Sequence, residues 1–65
     1  MKNYNTYEIL SEVYFEGLAT FKHSHKQSFP EELNVFGRVL EYHKYMYKTF
    51  PNRKFKLIEA KLVKD

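Results

Sequence analysis

A chain of 65 residues has room for one small domain, which buries about 60% of the surface its unfolded chain exposes, so a large enclosed active site is not expected. It contains no cysteine, which removes disulfides and thiolate zinc sites as ways of reinforcing a small core and leaves tight packing or self-association. The formal charge of +3 is unevenly placed: residues 1–20 carry one lysine against Glu8, Glu12 and Glu16, a net −2, whereas residues 38–64 carry eight Lys or Arg against Glu41 and Glu59, a net +6.

This asymmetry fits an acidic partner, nucleic acid or protein, and equally a solvated basic face on an ordinary domain. Six Tyr and six Phe are the other resource, since each buries a large area and each Tyr keeps a polar tip suited to a core edge or an interface. No apolar run reaches the length of a membrane span or of a signal-peptide core, and the missing cysteines suit a reducing compartment. The expectation is a soluble, cytoplasmic protein with no membrane partner.

The first segment, YEILSEVYFEGLATFKH, admits two readings. Tyr7, Leu10, Tyr14, Leu18 and Phe21 form a helical stripe, whereas Tyr7, Ile9, Val13 and Phe15 alternate as in a strand. A hairpin over about residues 5–25 is preferred, because a three-residue loop with Gly17 in the left-handed position pairs Tyr14 with Leu18 and Val13 with Ala19. That register sets Ser11 by Phe21, Ile9 by His23 and Tyr7 by His25. One face then holds Tyr7, Ile9, Val13, Ala19 and Phe21, and the other holds Leu10, Tyr14 and Leu18 interrupted by Glu12 and Lys22.

A helix is predicted over about residues 30–50. Ser28 with Glu31 makes a capping-box pattern, and Pro30 suits a first turn. Leu33, Phe36, Leu40, His43, Tyr47 and Phe50 recur at spacings of three and four, widened by Val35, Val39 and Met46, while Asn34, Arg38, Glu41, Tyr45 and Lys48 collect opposite. Pro51-Asn52 signals the turn that ends it. In the last segment, a strand over about residues 53–63, Phe55 and Leu57 fall on one face and Ile58, Ala60 and Leu62 on the other, the pattern of a strand covered on both sides or bulged near Leu57.

These elements define an α+β domain, β-β-α-β, with a three-stranded antiparallel sheet of order 2-1-3 and one long helix across one face. The other face, with Leu10, Tyr14 and Leu18, is then an apolar surface that a second copy or a target protein should cover.

Catalytic and metal chemistry find little support. His23 and His25 point from one strand face and His43 lies in the helical arc, but Lys22 and Lys26 oppose cation binding and no His-Glu-x-x-His pattern occurs. No metal and no cofactor are expected, and His43 reads as a core histidine with one ring nitrogen hydrogen-bonded. Ser11, Ser24 and Ser28 sit in no nucleophile elbow or phosphate loop, and the glutamate series reads as a solvated edge, so no enzyme is expected. Lys44, Lys48, Arg53, Lys54 and Lys56, with Tyr45 for stacking, offer a nucleic-acid surface, although no recognised RNA- or DNA-binding motif accompanies them.

The remaining profile is a small protein-binding regulator or inhibitor, probing its partner through Leu10, Tyr14, Leu18 and Tyr45 and acting as a homodimer. In size and composition it is analogous to the small inhibitors made by phages and other mobile elements. A basic nucleic-acid-binding protein is the alternative.

Overall fold

The computed structural model describes residues 3–15 and 20–63, which run β1 (Tyr4–Tyr14), β2 (Phe21–Pro30), α1 (Val35–Thr49) and β3 (Lys54–Val63). The strands form one antiparallel sheet of order β2-β1-β3, and α1 packs on one of its faces. The α+β architecture and the strand order read from the sequence are those of the protein. Among the described residues no helix is long and apolar enough to cross a membrane.

The β1–β2 register differs from the expected one by two residues. Val13 faces Phe21 rather than Ala19, Ser11 faces His23, Ile9 faces His25 and Tyr7 faces Gln27. Gly17, Leu18 and Ala19, on which the three-residue loop was to turn, lie outside the described residues. Because the shift is even, the described side chains of β1 and β2 keep their predicted faces. The longer pairing carries β2 out to Pro30 and brings Phe29 into the core, where its ring meets that of Tyr7 at 5.8 Å.

That extension also displaces the start of the helix. Ser28 belongs to β2, its hydroxyl 2.7 Å from that of Thr6 on β1, so the expected capping box with Glu31 does not form. Asn34 caps instead, its Oδ1 accepting from the Gly37 amide at 2.8 Å. Leu33 folds back over Gly37, where a Cβ would sit 2.5 Å from Leu33 Cδ1. At the other end Phe50 donates its amide to the Met46 carbonyl, and Asn52 takes a left-handed φ of 64° in the turn that the Pro51-Asn52 signal predicts.

β3 carries the bulge anticipated near Leu57. Ser11 pairs with Leu57 but Leu10 with Glu59, which leaves Ile58 as the extra residue. Phe55, Leu57, Ala60 and Leu62 therefore all fall opposite Val13, Ser11, Ile9 and Tyr7, on the face that holds α1.

The phase of α1 is the main departure from expectation. Tyr42 and Met46 are its buried residues, and they close a core with Ile9, Val13 and Phe29. Arg38 and Tyr45, predicted on the polar side, turn toward the sheet: the Arg38 guanidinium lies 5.7 Å from the Tyr7 ring centre, and Tyr45 stacks on His25 at 3.9 Å. Phe36, Leu40, His43 and Tyr47, predicted as the core stripe, are exposed, Phe36 to 78%. The cause sits in the central strand. Ser11 is wholly buried, and a buried hydroxyl without a partner costs about 1–3 kcal/mol. Tyr42 supplies that partner at 2.7 Å. Turning the Phe36–Leu40 stripe onto the sheet would withdraw Tyr42 and leave the Ser11 hydroxyl facing carbon.

Candidate functional site

The sheet face turned away from α1 is not the apolar surface expected there. Alternation along β1 puts Glu8 and Glu12 on the same face as Leu10, and the pairing sets each glutamate between two lysines: Lys22 and Lys56 flank Glu12, and Lys26 and Lys61 flank Glu8. Leu10 is half-buried between Ser24 and Glu59, and Tyr14 lies at the edge beside Lys54. Leu18 is outside the described residues. Opposite charges directly across strands stabilise one another in water, so this face is at home in solvent.

The apolar surface lies on the other side, displaced toward one edge. α1 covers β1 and β2 but leaves the same face of β3 largely open, with Leu57 and Leu62 exposed to 44% and 48%. Beside them runs the flank of α1 that carries Phe36, Leu40, His43 and Tyr47. A groove separates the two. One depression of about 210 Å³ is walled almost entirely by carbon, with Ile9, Phe29, Leu57 and Ala60 against Val35 and Val39. A second, of about 630 Å³, is lined by His43, Tyr47, Phe55 and Leu57 toward the C-terminal end of the helix. The apolar arc of α1 is broader than its own two strands can cover, so one half makes the core and the other half faces water.

On the opposite flank of α1, a polar and aromatic cluster holds the helix to β2. His25 stacks on Tyr45 and lies 5.5 Å from His23, centre to centre. Gln27 donates from Nε2 to the Glu41 carbonyl at 3.2 Å, which turns its Oε1 toward His25 to accept from Nε2–H at 3.0 Å. The His25 Nδ1 is buried without a hydrogen-bond partner among the described residues. His23 Nε2 is 3.1 Å from the Tyr45 hydroxyl, and burial, with the neighbouring His25 second, pulls the His23 pKa below the usual imidazole range. The Tyr42 hydroxyl moves the other way, raised by burial against the opposing hydrogen bond from Ser11.

This arrangement corrects the readings of Tyr45 and His43. Tyr45 is half-buried against two histidines rather than standing free as a contact residue, because the sheet-facing side of α1 lies nearer to it than the hydrophobic pattern implies. His43 is exposed on the groove flank, its ring 5.4 Å from that of Phe55, and does not join His23 and His25. Among the described residues no group of three His, Cys, Asp or Glu is placed to hold a metal ion.

The basic residues singled out from the sequence divide between surfaces. Lys44 and Lys48 lie on the outer side of α1, Lys44 with its Nζ 3.9 Å from Glu41. Lys54 and Lys56 share the charged outer face of the sheet with Glu12. Arg53 lays its guanidinium 4.5 Å from the centre of the Phe15 ring. The fold does not gather the five into one patch.

The groove residues on α1 were visible in the sequence as apolar but were assigned to the core. The signal that separates the two roles is the arc's width, since Tyr45, Tyr42, Met46, Val39, His43 and Leu40 together cover well over half of the helix circumference. Comparison with protein-family profiles, with curated proteins and with solved structures found no match.

Proposed function

We propose that this protein is a small non-enzymatic protein-binding domain, a regulator or inhibitor in the cytoplasm that acts by covering a polypeptide surface with the apolar strip of α1 and β3. The observation that carries this reading is the strip itself. Phe36, Leu40 and Tyr47 stand more than half exposed beside an open strand face, whereas the opposite face of the sheet sets Glu8 and Glu12 in register with lysines on both neighbouring strands. Large exposed apolar patches on soluble domains mark interaction sites, and aromatic residues are enriched in them. Among the described residues, neither depression of the groove is lined by a serine, threonine, cysteine or carboxylate, and aliphatic and aromatic side chains make up most of both walls, which suits the binding of a polypeptide.

The test is capture from the cell in which the protein is made, with and without nuclease and at raised salt, comparing the wild type with Leu57→Glu and with Lys54→Glu/Lys56→Glu. Capture of a polypeptide that survives nuclease and salt and is lost only with Leu57→Glu is the expected result. Capture abolished by nuclease, or by the lysine variant alone, would replace this reading with nucleic-acid binding through counterion release.

A further inference from the structure

Independently of any polypeptide partner, we propose that the carbon-walled depression between α1 and the sheet binds a small amphipathic carboxylate, a compact apolar body that fills the depression and a single carboxylate that pairs with Arg38.

The room comes from small side chains at facing positions. Ala60 on β3 pairs with Ile9, and Val35 and Val39 stand across from them on the helix. A methyl group and two short branched side chains fill less of the gap between the layers than Leu or Phe would. The depression that remains holds about 210 Å³, with Leu57 and Ala60 exposed on its β3 side. It is larger than the ~150 Å³ apolar cavity that takes up benzene and smaller than the ~300 Å³ at which pockets for drug-sized ligands begin. An aromatic ring with a short chain is the matching scale.

Arg38 gives the ligand its sign. It is the one charged residue among those that line this depression, and it is half-buried where Ile9, Phe29 and Tyr42 are buried, which puts it toward the mouth. Its guanidinium is held in place: Nη1 donates to the Leu33 carbonyl at 2.8 Å, and the central carbon lies 5.7 Å from the middle of the Tyr7 ring. Among the described residues that is its one hydrogen bond, and the ion pairs there are Lys44 with Glu41 and Lys61 with Glu59. Glu31, Glu32 and Glu41, the acidic residues to either side of it in the sequence, do not line the depression. The Tyr42 hydroxyl is engaged with Ser11.

A fixed cation with unused N–H donors at the edge of an apolar chamber is completed by an anion whose remainder is apolar. The charge that fits is one. A phosphate monoester carries close to two negative charges and would meet a single cation here, whereas a carboxylate balances one guanidinium and accepts from it through parallel hydrogen bonds.

Titrations at neutral pH, followed by nuclear magnetic resonance, with phenylbutyrate, phenylbutanol and phenylbutylamine compare one apolar body under three head groups. Phenylbutyrate is expected to saturate one site per chain with Kd below about 1 mM, at least about tenfold more tightly than the alcohol, and the amine is expected not to bind. Arg38→Gln should bring the acid down to the level of the alcohol. Ala60→Leu, which keeps Arg38 and fills the room, should weaken acid and alcohol alike by about tenfold or more at an unchanged far-UV spectrum. Acid and alcohol binding equally overturns carboxylate recognition by Arg38. Binding indifferent to Ala60→Leu overturns the depression as the site, and no saturation by about 10 mM overturns the site altogether. N-Acetylphenylalanine presents the same chemistry as the end of a polypeptide; binding about tenfold tighter than that of phenylbutyrate would replace the free small molecule by a polypeptide terminus.

Discussion

The hydroxyl oxygens of Ser11 and Tyr42 lie 2.7 Å apart at the centre of the core, the serine fully buried and the tyrosine nearly so. One bond thus ties the middle of β1 to the middle of α1. Either Ser11→Ala or Tyr42→Phe strands the other hydroxyl away from water, at a cost of about 1–3 kcal/mol, while the double variant removes both polar groups together. Urea unfolding of the four proteins is expected to show the double change costing clearly less than the two single changes combined. Additive costs would mean that the bond does not set the helix phase.

Acid should loosen the contact between α1 and β2. His23 has its pKa lowered mainly by burial and secondarily by His25, so the fold prefers its neutral form. The unfolded chain takes up the proton first. The resulting stability is therefore complete above the ordinary imidazole value of about 6.5 and is lost as pH falls through the lower folded value. Melting temperatures between about pH 7.5 and 5 should decline, and His23→Gln, which cannot titrate, should show a shallower decline. Equal slopes would place the acid sensitivity elsewhere.

The two other histidines should differ in the opposite sense from that expected of a core His43. His25 is wedged against Tyr45 at 3.9 Å and bonded to Gln27, whereas His43 lies exposed at the groove. In dilute solution His25→Ala is expected to destabilise by about 1–2 kcal/mol, several degrees in melting temperature, and His43→Ala by less than half of that. Thermal melts followed by circular dichroism decide the order.

Much of this architecture is legible in the residues, and the parts that are not have identifiable causes. The alternation of Tyr7, Ile9 and Val13 marks β1, and the Pro51-Asn52 turn marks the end of α1, because each reports a local backbone preference. The two-residue error in register leaves no trace in the face pattern and shows only in the cross-strand partners, from Val13 with Phe21 to Tyr4 with Pro30. Ser28 has the chemistry of a cap but is taken by the ladder to Thr6, and Asn34 takes its place. The helix phase fails for a deeper reason. Hydrophobic periodicity locates apolar residues without saying which of them meet their own sheet, and it gives no weight to a polar pair such as Ser11 and Tyr42.

The charged outer face of the sheet should take no part in partner binding. Leu10→Thr keeps strand preference while removing the one aliphatic side chain set among Glu8, Glu12, Ser24 and Glu59, and is expected to leave capture of a polypeptide partner unchanged. Loss of capture in this variant, at unchanged secondary structure, would move the binding surface to that face.

A chelator should leave the protein as it is. The Nε2 atoms of His23 and His25 are occupied by Tyr45 and Gln27, and His43 is on the far flank of the helix. EDTA is therefore expected not to alter the melting temperature. A fall of several degrees that zinc restores would reveal a site.

The position of β1 also bears on the order in which the protein takes shape. Its first edge is filled by β2, its neighbour in the chain, but its second edge waits for β3, and the pairing of Thr6 with Val63 spans nearly the whole sequence. Contacts so far apart are slow to form because a long loop must close before any bond rewards it. On the ribosome the hairpin and helix emerge first, with one side of β1 still offering unpaired backbone groups to any passing strand. The interval before β3 docks is thus the time at which the nascent chain is most open to mispairing, and residues 54–63 govern how long it lasts.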